Sequence, residues 1–241
     1  DNPTVLYAYG GFNIPITPYF SAYKTVWSGD LNGVLAIANI RGGGEYGKKW
    51  YDGGKLMNKM NCFDDFNAGA EYLIDNKYTS SKKLAIEGGS NGGTLVAACF
   101  NQRPDLYRAV LCHVPVIDMY RFHKYTIGHA WKSDYGDPEE KIEDFEYNKQ
   151  YSPLHNVKLQ DDKSVPGMMI LTADHDDRVV PHHSLKFAAE VQKVHGKTSE
   201  NPLLLRVDIK AGHGGGKPTA MVIEEQVDKY GFLALMMGLE L

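Results

Sequence analysis

Ser90 lies in the run Gly88-Gly89-Ser90-Asn91-Gly92-Gly93, which reads G-x-S-x-G. An apolar stretch, Lys83–Glu87, precedes it and another, Thr94–Phe100, follows. A strand, a sharp glycine-flanked turn and a helix would hold the serine hydroxyl up at a sheet edge, where it can act as a nucleophile. The glycines suit such a turn because a Cβ on either side would meet the neighbouring strand and helix. The same residues also suit a glycine-rich strand-to-helix turn in which Ser90 serves as an N-cap.

A serine hydroxyl becomes reactive only when a base takes its proton and a carboxylate orients that base. On folds with this turn, the acid and the histidine follow the serine in chain order, each in a loop past a strand. Two downstream loops fit. Asp174-His175-Asp176-Asp177-Arg178-Val179 follows the apolar run Met168–Ala173, and Lys210-Ala211-Gly212-His213-Gly214-Gly215-Gly216 follows Leu203–Ile209. His213, flanked by glycines after a strand, is hard to explain as core packing. Asp174, Asp176 and Asp177 all remain open as the acid, and the surplus carboxylates suit turn formation.

Attack on a carbonyl also needs donors aimed at the developing oxyanion. The amide of the residue after the nucleophile, Asn91, is one. A second is expected from the loop Tyr7-Ala8-Tyr9-Gly10-Gly11-Phe12. There Tyr9 offers a phenolic O–H immediately before the glycine pair, or packs its ring beneath the loop.

These side chains must be held by a scaffold, and the apolar pattern supplies one. Strands are predicted over Thr4–Ala8, Val34–Ile40, Lys83–Glu87, Ala109–Cys112, Met168–Ala173 and Leu203–Ile209, all read as covered on both faces. Helical spacing marks Phe63–Asp75, Ser184–Val194 and Ala220–Met237. The alternation predicts an α/β domain with a doubly wound, mostly parallel sheet and helices on both faces. The polar stretch from Trp131 to Lys163 reads as an irregular excursion over the sheet's C-terminal edge.

At 241 residues, 43% hydrophobic and 23% charged, the chain suits one globular domain with a substantial core. A net charge of −4 gives no reason to expect nucleic acid or an anionic membrane as partner. No apolar run reaches the roughly 20 residues of a membrane span. Cys62, Cys99 and Cys112 form no CxxC pair, and the first residues show no signal-peptide pattern. Reduced thiols and a cytoplasmic location are therefore expected. Two other glycine runs are weaker signals. Gly42–Gly47 matches G-x-G-x-x-G, but no helix is expected after it, which argues against a dinucleotide site. Gly212–Lys217 lacks the first glycine and the hydroxyl of a phosphate loop. No histidine or cysteine spacing suggests a metal, and no cofactor is expected.

The chain resembles the peptidase domain of the prolyl oligopeptidase family, serine peptidases of the α/β-hydrolase fold, along nearly its whole length. The residues that carry this are YAYGGF (7–12), NIRGGGEYG (39–47), EGGSNGGT (87–94), FHKYTIGHAW (122–131), YSPLHNVKL (151–159), TADHDDRVVP (172–181) and KAGHGGGKPT (210–219). The resemblance implies Ser90 as nucleophile, Asp176 as acid and His213 as base, with Tyr9 and the Asn91 amide as oxyanion donors. It implies a proline pocket lined by Phe12, Val116, Trp131, Tyr135 and Val179, with Arg178 donating to a peptide carbonyl upstream. A flat, rigid pyrrolidine ring suits stacking on an indole, because little entropy is lost.

The implied activity is that of a serine endopeptidase cleaving short peptides after proline through an acyl-enzyme. Two features of the family have no counterpart in this sequence, namely the gating β-propeller and an N-terminal segment of the hydrolase domain. The expectation is therefore a single hydrolase domain over 1–241, one sheet edge uncovered, with the missing portion supplied by a longer protein. The alternatives are a dipeptidyl-peptidase-like exopeptidase or esterase on the same fold, and a non-catalytic binding module.

Overall fold

Short runs rich in Val, Ile and Leu, separated by helical stretches, build one six-stranded sheet in the computed structural model, which describes residues 1–159 and 165–240. The strands are β1 (Thr4–Tyr7), β2 (Val34–Ile37), β3 (Leu84–Gly89), β4 (Ala109–His113), β5 (Gly167–Ala173) and β6 (Leu203–Asp208). Their order across the sheet is β2-β1-β3-β4-β5-β6, and every pairing is parallel. The helices are α1 (Ala22–Gly29), α2 (Lys48–Asp52), α3 (Met60–Asp75), α4 (Asn91–Gln102), α5 (Lys132–Tyr135), α6 (Ile142–Tyr151), α7 (His182–His195) and α8 (Thr219–Met237).

Because side chains alternate along a strand, neighbouring residues feed two separate cores. Leu6, Ile86, Val110, Cys112 and Ile170 pack with Phe63 and Phe66 of α3, Leu95 and Val96 of α4, and Phe187 and Val191 of α7. Val5, Ala85, Leu111 and Leu171 pack on the other face with Trp27 of α1 and Phe232, Leu233 and Met236 of α8. Helix α4 is buried from Asn91 to Phe100, as its unbroken apolar sequence requires. The three cysteines are buried and free. Among the described residues, no helix is long and apolar enough to cross a membrane.

Three expectations need correction. The outer strands are not covered on both faces: Ile37 in β2, and Leu204 and Val207 in β6, are exposed, as is Ile209 just beyond. An edge strand has a neighbour on one side only, and its apolar sequence does not reveal that position. The stretch from Trp131 is largely helical, holding α5, α6 and a 3₁₀ turn over Pro153–His155; its end at 160–163 lies outside the described residues. Polar composition hid α6, which buries only Asn148 and Tyr151. A helix does follow Gly47, the five-residue α2. The glycines before it serve contact instead: a Cβ on Gly42 would lie 2.6 Å from the Gly10 carbonyl oxygen.

Candidate active site

All the candidate residues lie beyond the carboxyl ends of parallel strands, where an open α/β sheet forms its crevice. Tyr9 and Phe12 follow β1, Ser90 follows β3, Val116 follows β4, Asp176, Arg178 and Val179 follow β5, and His213 follows β6. Trp131 and Tyr135 reach the same edge from the helical segment after β4.

Ser90 adopts φ 57° and ψ −115° between β3 and α4. A non-glycine residue rarely holds such a backbone, and here packing imposes it. A Cβ on Gly88 would lie 2.2 Å from the Gly92 carbonyl oxygen, and one on Gly93 would lie 2.6 Å from that of His113. The Ser90 amide donates to the His113 carbonyl at 2.9 Å. No side-chain cap bond forms at Ser90, so its hydroxyl does not serve as an N-cap. Asn91 is the first residue of α4, and its N–H therefore has no intrahelical acceptor. Burial raises the Tyr9 phenol above its usual pKa, while a hydrogen bond with the Ser90 hydroxyl acts in the opposite sense. The phenol thus stays protonated through neutral pH beside the Ser90 hydroxyl.

Asp176, 3% exposed, is the carboxylate that the His213 ring meets. Its Oδ2 lies 2.6 Å from His213 Nδ1. Its Oδ1 accepts the amides of Arg178 at 3.0 Å and Val179 at 2.9 Å. Asp174 instead engages His175 and the Ala211 amide, and Asp177 is exposed. Among the described residues, His213 makes no hydrogen bond to the Ser90 hydroxyl. Such bonds are often long before substrate binds. The histidine loop is also tied through Lys217, which pairs with Asp208 and lies 2.5 Å from Glu225.

Tyr9, Ser90 and Asn91 share one cavity of about 320 Å³ with Phe12, Val116, Trp131, Tyr135 and Arg178. Phe12 and Tyr135 meet edge to face at 5.6 Å. The Val116 carbonyl accepts the Thr94 hydroxyl of α4 at 2.7 Å, which ties that wall to the helix that follows Ser90. Val179 does not line the cavity; it is buried in the main core, and its amide holds Asp176. Ile14 and Ile127 line the cavity as well. Sequence reasoning missed both, because single apolar residues in loops carry no periodic signal. Among the described residues, no cluster of His, Cys, Asp or Glu could hold a metal ion.

The model of the prolyl oligopeptidase family matches residues 18–240. The prolyl endopeptidase of Elizabethkingia meningoseptica is 48% identical over 239 residues, 99% of this chain and 33% of its own length. That of Dictyostelium discoideum is 49% identical over 239 residues, 99% of this chain and 31% of its own. Prolyl oligopeptidase B from Galerina marginata, solved with a 35mer hydrolysis and macrocyclization substrate, superposes with a TM-score of 0.94. It is 41% identical, and the match covers 100% of this chain and 33% of that one. The chain therefore spans about a third of the length of the relatives it matches. The all-parallel sheet and this structural likeness make the fold an α/β-hydrolase fold. On the match over 18–240 and these identities, the chain belongs to the prolyl oligopeptidase family.

Proposed function

We propose that this chain is the hydrolase domain of a serine endopeptidase that cleaves short peptides on the carboxyl side of proline. The observation that carries the reading is the shared cavity, in which Ser90, Asn91 and Tyr9 face the same space as Trp131, Phe12 and Val116. A proline ring stacked on the Trp131 indole would set its carbonyl beside the Ser90 hydroxyl.

In this mechanism the Ser90 hydroxyl attacks the carbonyl carbon while His213 takes its proton, and the C–N bond then breaks as His213 returns that proton to the leaving amine. Water cleaves the acyl-enzyme by the same path in reverse order. Asp176 orients the imidazole through Nδ1 and stabilises the imidazolium. The two amides on its other oxygen fix the carboxylate, and the Tyr9 phenol and Asn91 amide receive the oxyanion. Arg178, exposed at the rim, donates a charge-assisted hydrogen bond to a peptide carbonyl upstream. The residues supply every proton transfer, so the reaction needs no cofactor. Residues 1–241 act as one catalytic unit, in the cytoplasm. A propeller in a longer polypeptide would screen substrates by size.

The test is labelling by a prolyl phosphonate, with peptide mapping of the adduct. A stoichiometric adduct on Ser90, lost in Ser90→Ala, is expected; labelling elsewhere, or none, would defeat the assignment. Hydrolysis of N-blocked prolyl amides in preference to free-amine ones would separate an endopeptidase from a dipeptidyl peptidase.

A further inference from the structure

Lys59 is 1% exposed and stands at the N-terminus of α3. A cation there opposes the helix macrodipole, and burying its charge is costly unless it is paired and hydrogen-bonded. Lys59 makes no capping bond. Its ammonium instead donates to the Gly10 carbonyl at 3.0 Å and to Asn91 Oδ1 at 3.1 Å. Its charge partner is Asp134 Oδ2 at 3.8 Å, which is wholly buried.

Both hydrogen bonds of Lys59 end on residues around Ser90. Asn91 turns its side-chain amide on the Tyr9 carbonyl at 2.6 Å, while its Oδ1 also accepts the Tyr135 phenol at 2.7 Å. Asp134 accepts the Phe12 amide at 3.0 Å and the Tyr51 phenol at 2.7 Å. The backbone from Tyr9 to Phe12 is thus gripped at three points: Tyr9 C=O by Asn91, Gly10 C=O by Lys59 and Phe12 N–H by Asp134. Phe12 is held at φ 57°, so this loop does not rest in a relaxed conformation. The residues on either side of the first grip carry both oxyanion donors, the Tyr9 phenol and the Asn91 amide.

We propose that Lys59 is a positioning residue for the oxyanion hole. It touches no substrate; through the Gly10 carbonyl and the Asn91 side chain it sets where the Tyr9 phenol and the Asn91 N–H point. The inference rests on the reading of Ser90 as nucleophile. A misdirected donor weakens stabilisation of the transition state more than binding of the ground state.

The test compares Lys59→Met, Tyr9→Phe and the double variant on an N-blocked prolyl amide. Two inhibitors accompany it: a prolyl aldehyde, which forms a tetrahedral adduct, and an N-acylpyrrolidine, which fills the proline pocket without one. For Lys59→Met, kcat should fall about 10- to 100-fold. Aldehyde affinity should fall in step, while N-acylpyrrolidine affinity stays within about two-fold. The double variant should lose less than the product of the two single losses, since Tyr9→Phe removes one of the two donors that Lys59 aims. An unchanged kcat, losses that multiply in the double variant, or equal weakening of both inhibitors would overturn the proposal. Should Lys59→Met not accumulate as folded protein, Asn91→Ala decides. That variant keeps the backbone donor but removes the link from Lys59 to Tyr9, and the same readouts apply. Failure of the unaltered protein to label at Ser90 would count against the nucleophile assignment instead.

Discussion

Ser90 and His213 are held in opposite ways. Ser90 sits where glycines are forced by contact, with backbone oxygens 2.2 to 2.6 Å from the Cβ positions of Gly88 and Gly93. His213 sits in a glycine run with open space around it: a Cβ on Gly214, Gly215 or Gly216 would meet nothing within 4 Å. The first position is determined by packing, which tolerates little displacement. The second depends on a few polar tethers, Asp176 to the ring and Lys217 to Asp208 and Glu225. Ser90 is therefore rigid by construction, and His213 is placed by charges and hydrogen bonds that can exchange partners.

On the proposed mechanism, the largest effects should come from Ser90 and from the Asp176–His213 side of that contrast. Ser90→Ala should cut turnover of a prolyl amide by about 10⁶-fold. Asp176→Asn, which releases the tethered ring and leaves the elbow intact, should cost about 10⁴-fold. Steady-state kinetics checks both, and near-normal turnover in Asp176→Asn would mean the ring is held by something else. Next in size is a paired stability measurement. Gly88→Ala should destabilise by about 1–3 kcal/mol, whereas Gly215→Ala should stay within about 0.5 kcal/mol. Equal urea midpoints for the two variants would erase the distinction between the loops. Trp131→Ala tests the wall on the rigid side and should lower kcat/KM for prolyl substrates by about 1–3 kcal/mol, reducing the preference over alanyl analogues.

A last effect concerns acid, and it bears on stability alone. Burial, reinforced by His182, lowers the pKa of His183 to about 3, and its Nδ1 accepts the Asp118 amide at 3.2 Å, just past the Val116 wall. Below about pH 6.5 the unfolded chain gains a proton that the folded ring refuses, so stability falls on acidification until the pH nears 3. The slope from this group approaches about 1.4 kcal/mol per pH unit. His183→Gln should flatten the pH dependence of urea unfolding over that window; an unaltered slope would show that the ring does not contribute.

Local patterns exposed a good deal of this architecture. All six strands lie where short apolar runs stop and start, within a few residues, and the elbow announces itself because the glycines on both sides of Ser90 are needed for one turn. What escaped was set by distant contacts. The edge positions of β2 and β6 depend on strand order, and α6 shows only a faint apolar stripe. Lys59 in sequence is one more lysine after Lys55, yet its partners lie 32 to 75 residues away at Asn91, Gly10 and Asp134. Nor does any local signal distinguish three neighbouring aspartates. Asp176 stands apart only in space, where two amides and an imidazole converge on it.

The short turn from Asp176 to Val179 has a consequence for how such a domain can diversify. Carboxylate and guanidinium are two residues apart, and the backbone of Arg178 itself bonds the carboxylate. In the proposed mechanism, reshaping the Arg178 rim to greet another peptide would therefore tug on the carboxylate that steadies His213. The proposed acid and the proposed peptide contact share one piece of chain, so new preferences would be more easily drawn from Phe12 or Trp131, whose segments carry none of Ser90, Asp176 and His213.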